Sequence, residues 1–238
     1  HRALSDVHHP ARQTEEMTTV DRPHLSAMPE IPILAQTASY VVCVKPCGVL
    51  SESTPEGNGL PELLAAQLSL PHIYPIHRLD ATTGGVMVYA VTKSAAAALS
   101  EQLSSHRFSK TYLALCEGMP EPVCGAMEDE LFFDRRRKQS FVVDRPRNGT
   151  KSARLTYRVL AEQTIADRRC ALCEVTPETG RTHQIRVQFA SRRHPLLGDK
   201  KYGARIPYHG LSLWCRAISF ADPATGAQMT WSMDMPVE

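Results

Sequence analysis

Asp80 stands in the run His77-Arg78-Leu79-Asp80-Ala81-Thr82-Thr83-Gly84-Gly85, with a guanidinium and an imidazole within three residues of its carboxylate. A carboxylate in that company can serve as a nucleophile or a general base. It can equally be half of an Arg/Asp surface pair of little energetic weight. The run alone leaves these readings open. A second chemical feature is the cluster Arg135-Arg136-Arg137-Lys138, a patch suited to phosphate. The third is Cys170-Ala171-Leu172-Cys173, a C-x-x-C by letter. It falls in a strand pattern, where residues three apart point to opposite faces, and no second Cys or His pair completes a zinc site. No metal is expected.

These residues need elements to hold them. Gly84-Gly85 ahead of the apolar run Val86–Ala90 reads as a tight turn into a buried strand, so Asp80 is a loop residue anchored by that strand. Strands are also expected at Tyr40–Val44, Lys110–Cys116, Leu211–Phe220 and Met229–Met233, with Ala153–Leu160 and Cys170–Val175 as a pair. Helical spacing marks Leu60–Leu68, with Pro61 tolerated near its start, and Ala95–Leu103, which Ser94 could cap. Residues 118–150 read as an extended loop or hairpin over the surface. Residues 181–191 fit both periods: Ile185 and Phe189 are four apart, while Ile185, Val187 and Phe189 alternate. Strands outnumber helices without strict alternation. The expectation is an α+β domain on a mixed, largely antiparallel sheet flanked by helices and loops.

Residues 1–30 lack periodicity and read as a flexible leader, leaving 31–238 as one domain, which the resemblance below makes the catalytic one. No run of about 18 apolar residues exists, so no membrane span is expected. The formal net charge of +2 conceals segregation. Residues 131–216 hold 19 Lys+Arg and 7 Asp+Glu, a surplus of 12, and the rest of the chain has an excess of 10 acids. Such asymmetry favours a basic face aimed at a polyanion. Seven cysteines, an odd number at irregular spacing and often in apolar runs, suggest buried reduced thiols and a reducing compartment.

The His77–Asp80 run with Thr83 and Gly85 resembles the signature of the RluA-type pseudouridine synthases, in which a serine usually stands where Gly84 does. Three further blocks resemble that family in the same order: Lys45-Pro46-Cys47-Gly48, Lys110-Thr111-Tyr112-Leu113-Ala114, and Thr179 to Val187 leading into His194–Asp199 and Tyr202-Gly203. The resemblance covers roughly residues 36–235. It is to a short form without a separate S4 domain, so RNA binding is expected from the core domain itself. It implies the pseudouridine synthase catalytic fold, with residues 181–191 as a helix, and isomerisation of uridine to its C-glycoside in structured rRNA or tRNA. No cofactor is implied.

The resemblance also assigns roles. Asp80 becomes the catalytic aspartate. Arg186 lies against it, keeping it charged and orienting it through two hydrogen bonds. Tyr112 stacks on the unstacked base and helps proton transfer at C5. Arg78 enters the RNA helix and helps to hold the base out. His77, Thr83, Gly85, Thr182, His183 and Gln184 support the loop and the helix start. Loss of the serine hydroxyl at Gly84 removes no group the chemistry requires. Phosphate contacts are expected from Arg135, Arg136, Arg137, Lys138, Arg181, Arg192, Arg193 and Lys200, with Arg145, Arg147, Lys151 and Lys201 on the same surface. A cytoplasmic monomer is favoured. The alternative reading is a non-catalytic RNA-binding or ribosome-associated protein on the same fold. A carboxylate-dependent hydrolase would need a second acid, and the sequence offers no obvious partner to Asp80.

Overall fold

The computed structural model describes residues 30–236, so the leader read over residues 1–30 lies outside the described residues except for Glu30. The elements in chain order are β1 (Ile33–Gln36), β2 (Tyr40–Lys45), α1 (Leu60–Leu68), β3 (Tyr74–Pro75), β4 (Gly84–Ala90), α2 (Lys93–Ser104), β5 (Ser109–Glu117), β6 (Cys124–Asp134) and β7 (Gln139–Val143). Then come β8 (Thr150–Ile165), β9 (Arg168–Pro177), α3 (Gln184–Ser191), β10 (Leu213–Ala221) and β11 (Gln228–Ser232). One sheet of eleven strands runs in the order β1-β2-β4-β10-β5-β9-β8-β6-β7, with β11 beside β10 and β3 beside β4. Among the described strands, β10 and β4 pair in parallel and the other pairs are antiparallel. The α+β class with a largely antiparallel mixed sheet is therefore what forms.

The middle of the sheet carries the core. β2 and β4 are buried along their whole length, so their sequences run apolar without alternation. Helix α2 packs on β4 and β10, and α3 on β6 and β7. Helix α1 places Pro61 in its first turn, where a missing N–H removes no intrahelical bond. Helix α2 begins two residues earlier than its alanines suggest, because Thr92 rather than Ser94 caps it: Thr92 Oγ1 accepts the Ala95 N–H at 3.2 Å.

Gly84 and Gly85 do not form the turn expected of them. They are the first residues of β4, and the turn lies one step earlier, where the Thr83 N–H bonds to the Asp80 carbonyl at 2.9 Å. Gly85, at φ 132°, answers a close approach of β10. A Cβ there would lie 2.3 Å from the Cys215 carbonyl oxygen. The stretch read as an extended loop or hairpin over 118–150 contains the β6–β7 hairpin, with Arg135–Lys138 as its exposed turn. All seven cysteines are free thiols; Cys43, Cys116, Cys170, Cys173 and Cys215 are buried, Cys47 and Cys124 exposed. Cys170 packs with Leu115, Leu197 and Ile206, while Cys173 faces the main core, so the C-x-x-C pair is split across the sheet.

Candidate active site around Asp80

The loop between β3 and β4 is clamped on both sides of Asp80. Ser51 Oγ donates to the Leu79 carbonyl at 2.9 Å and accepts the Leu79 N–H at 3.3 Å. On the other side, the fully buried Lys45 ammonium donates to the carbonyls of Ala81 (3.2 Å), Pro46 (3.0 Å) and Val49 (2.5 Å). The Gly48 N–H adds a bond to the same Ala81 carbonyl at 2.6 Å. Below the loop, His77 Nε2 accepts the Val88 N–H of β4 at 3.1 Å. Burial, reinforced by Lys110, holds the His77 imidazole well below its ordinary pKa, so it stays neutral. Its Nδ1 has no partner among the described residues.

Asp80 opens onto a cavity of about 140 Å³. That matches the size class of a cavity that admits one six-membered ring, for which ~150 Å³ suffices. The lining includes Arg78, Asp80, Tyr112, Arg181, His183 and Arg186, with Thr83, Thr182, Gln184 and Lys110 also contributing. Tyr112 is buried on β5. Burial first, then the charges of Cys215 and Asp80, push its phenol well above the ordinary value, so it remains a donor. Lys110, two residues back on β5, faces the same cavity, and burial lowers its pKa.

Arg186 differs from its expected arrangement. Its two hydrogen bonds go to Asp199, from Nε and Nη2 at 2.8 Å each, and its Nη1 faces Asp80 Oδ2 at 3.8 Å. Asp199 is thus an acidic neighbour that sequence reasoning missed, sharing one guanidinium with Asp80. Burial opposes the charge on Arg186, but the Asp199 bonds and the fields of Asp199 and Asp80 outweigh it and raise its pKa. The guanidinium also sits 5.0 Å from the Tyr202 ring centroid, a cation–π contact. Tyr202 is the second residue sequence reasoning left without a role. Both lie in the His194–Gly203 stretch, which carried no chemical spacing of its own.

Position 84 is filled by its neighbour. A Cβ on Gly84 would lie 2.7 Å from Trp214 Cζ3 and 3.0 Å from the Lys45 carbonyl oxygen. Trp214 is paired with Gly84 across the parallel β4–β10 contact, and its indole N–H donates to the Met233 carbonyl at 2.7 Å. The glycine is therefore a packing requirement set by the Trp214 ring and the Lys45 carbonyl.

The basic residues divide into three groups. Arg78 and Arg181 reach the cavity; Arg78 also pairs with Glu52 at 2.9 Å, and Arg181 donates to the Ser152 carbonyl. Arg135, Arg136, Arg137 and Lys138 are exposed on the hairpin turn, and Arg193 and Lys200 are exposed beyond α3. Arg192 is partly exposed and held by Asp129, with Nη1 2.7 Å from Oδ2. Folding also spends part of the basic surplus internally: Arg154 pairs with Glu128 and Glu178, Arg158 with Glu174, and Arg169 with Glu162. Among the described residues no group of three or more His, Cys, Asp or Glu could hold a metal ion. No helix there is long and apolar enough to cross a membrane.

The family model of RNA pseudouridylate synthases matches residues 39–191. An uncharacterised RNA pseudouridine synthase of Haemophilus influenzae is 30% identical over 174 residues, 73% of this chain and 74% of that protein. The dual-specificity RNA pseudouridine synthase RluA of Escherichia coli is 33% identical over 209 residues, 85% of this chain and 92% of that one. A Mycobacterium bovis relative is 36% identical, over 65% of this chain and 50% of its own length. The solved structure of human RNA pseudouridylate synthase domain containing 1 superposes with a TM-score of 0.73 at 21% identity, covering 87% of this chain and 84% of that one, and so shares the fold. A half-buried loop carboxylate, a protonated phenol and a guanidinium meet around a ring-sized cavity in this fold. With the family match and the relatives above, the chain belongs to the RluA-type RNA pseudouridylate synthases, isomerases that convert uridine to pseudouridine in RNA.

Proposed function

We propose that Asp80, Tyr112 and Arg186 carry the isomerisation, with a single flipped-out uridine of structured rRNA or tRNA as the substrate. The reaction breaks the bond between N1 and C1′, turns the uracil, and joins C1′ to C5; the C5 proton is lost and N1 gains one. Asp80 is the nucleophile or base at this centre. Tyr112 offers a ring face against the base and a phenol hydroxyl near it. Arg186, pinned by Asp199, sets a fixed positive charge beside the carboxylate. The observation that carries this reading is the convergence of the three side chains on one cavity of about 140 Å³.

Arg78 and Arg181 at the cavity are proposed to meet the RNA next to the target. The Arg135–Lys138 turn, with Arg193 and Lys200, is proposed to meet phosphates farther away. The name of the Escherichia coli relative, a dual-specificity enzyme, and that of a Vibrio parahaemolyticus relative, a tRNA pseudouridine synthase, support keeping more than one class of RNA as substrate. Residues 31–238 are proposed to act as one catalytic domain, as a monomer in the cytoplasm, with no metal or cofactor in the reaction. The test is Asp80→Asn. Pseudouridine formation should fall by at least about 10³-fold while the thermal midpoint and RNA affinity stay near wild type. Full turnover by that variant would remove Asp80 from the mechanism.

A further inference from the structure

His183 precedes α3 in the left-handed backbone region, at φ 54°. A residue with a Cβ adopts that conformation at a cost of order 1 kcal/mol, and such outliers gather where a side chain must be aimed. Here the imidazole is engaged on two sides. Its Nδ1 is 2.7 Å from Tyr202 Oη, and its Nε2 is 3.8 Å from Asp80 Oδ2.

Tyr202 decides which nitrogen carries the hydrogen. Its Oη accepts the Ser140 N–H at 2.8 Å, and burial keeps the phenol protonated. The phenol hydrogen needs an acceptor; Ser140 Oγ already donates its own hydrogen to the Thr182 carbonyl, and His183 Nδ1 lies 2.7 Å from Oη. An imidazole that accepts at Nδ1 carries its hydrogen on Nε2, the atom facing Asp80. The charged groups around the ring are Arg186 and Lys201, which with burial lower its pKa, and Asp80 and Asp199, which act the other way. Burial has the largest effect and the ring is neutral.

We propose that His183 is a positioning residue for Asp80: its Nε2–H, aimed by Tyr202, donates to Oδ2 once a nucleotide fills the cavity, and so turns Oδ1 toward the reacting sugar or ring. This rests on Asp80 being the catalytic carboxylate. Separations of this size commonly tighten when substrate binds. A neutral donor suits the task. Arg186 already supplies one positive charge, and a second would hold the lone pairs that Asp80 needs for attack.

His183→Ala removes the donor, and His183→Gln restores an N–H near the place of Nε2. For His183→Ala, kcat should fall about 10²-fold with KM for RNA within a factor of about 3, and His183→Gln should recover about tenfold of the loss. Long-range ¹H–¹⁵N spectra of the intact wild-type chain should show the Nε2–H tautomer. In Tyr202→Phe, which keeps the ring against Arg186 but loses the hydroxyl, a tautomer mixture should appear. The proposal is overturned by an Nδ1–H tautomer in the wild type, by unchanged kcat in His183→Ala, or by equal kcat losses in the Ala and Gln variants. Asp80→Asn, assayed in parallel, separates the two readings. If it turns over, the Asp80 assignment falls; if it is dead while His183→Ala is unimpaired, only the positioning role falls.

Discussion

Leu79 and Ala81, the neighbours of Asp80, are clamped from beneath by Ser51 and Lys45, whereas the Arg135–Lys138 turn stands in water at the end of an edge hairpin. On the first surface, buried donors and acceptors fix the Leu79 N–H and carbonyl and the Ala81 carbonyl, and a small displacement leaves one of them unpaired at a cost of about 1–3 kcal/mol. On the second, the exposed side chains are only lightly held, Arg137 by Asp134 and the Phe141 ring, and any pull on a polyanion would come from summed charge rather than geometry. The two surfaces are tied together by Ser140. Its N–H bonds to Tyr202, and its hydroxyl donates to the Thr182 carbonyl at 2.5 Å. The proposed chemistry thus sits on the over-determined part of the fold and the proposed RNA capture on the permissive part.

The contrast can be broken most severely at Asp199. Asp199→Ala leaves the buried Arg186 guanidinium without its two bonds, and stability should fall by about 3–5 kcal/mol, measured by urea unfolding, together with turnover. A stable and fully active variant would show that the Asp80 side tolerates looseness after all. Next in size is charge removal at the hairpin. Replacing Arg135, Arg136, Arg137 and Lys138 with Gln should weaken RNA binding and flatten its log–log salt slope by about 2–4, with stability within about 0.5 kcal/mol of wild type. An unchanged slope would move the phosphate surface elsewhere.

The smallest effect sharpens the comparison. His77 is buried and neutral, while in the unfolded chain it protonates near the ordinary value of 6.5. Below that pH the unfolded state binds the extra proton, so the native state loses up to about 1.4 kcal/mol per pH unit as pH falls toward the depressed folded value. His77→Gln should flatten this acid limb between pH 6.5 and 5. Unfolding free energies of both proteins across that range check it, and parallel curves would mean that His77 is not the group responsible.

The strands and the Asp80 loop were legible because a buried β4 leaves a continuous apolar run and the signature run sits beside it. Helix α3 was ambiguous on its residues for a physical reason. Gln184 through Phe189 are all buried, so no polar face marks the helical period. Asp199 was illegible because its contact with Arg186 joins a loop to a helix with no diagnostic spacing, and the guanidinium it occupies had been assigned wholly to Asp80. The charge surplus over 131–216 was real in the sequence, but the acids that offset part of it, Glu128 and Asp129, lie just outside that window. A linear count cannot see pairing across strands.

The indole over position 84 has a consequence for engineering. A side chain at 84 would meet the Trp214 ring and the Lys45 carbonyl, so a serine there requires the indole to move, and that indole is held by its bond to the Met233 carbonyl. The two positions are therefore coupled in this chain. A graft of serine at 84 is best made together with a smaller residue at 214 on β10.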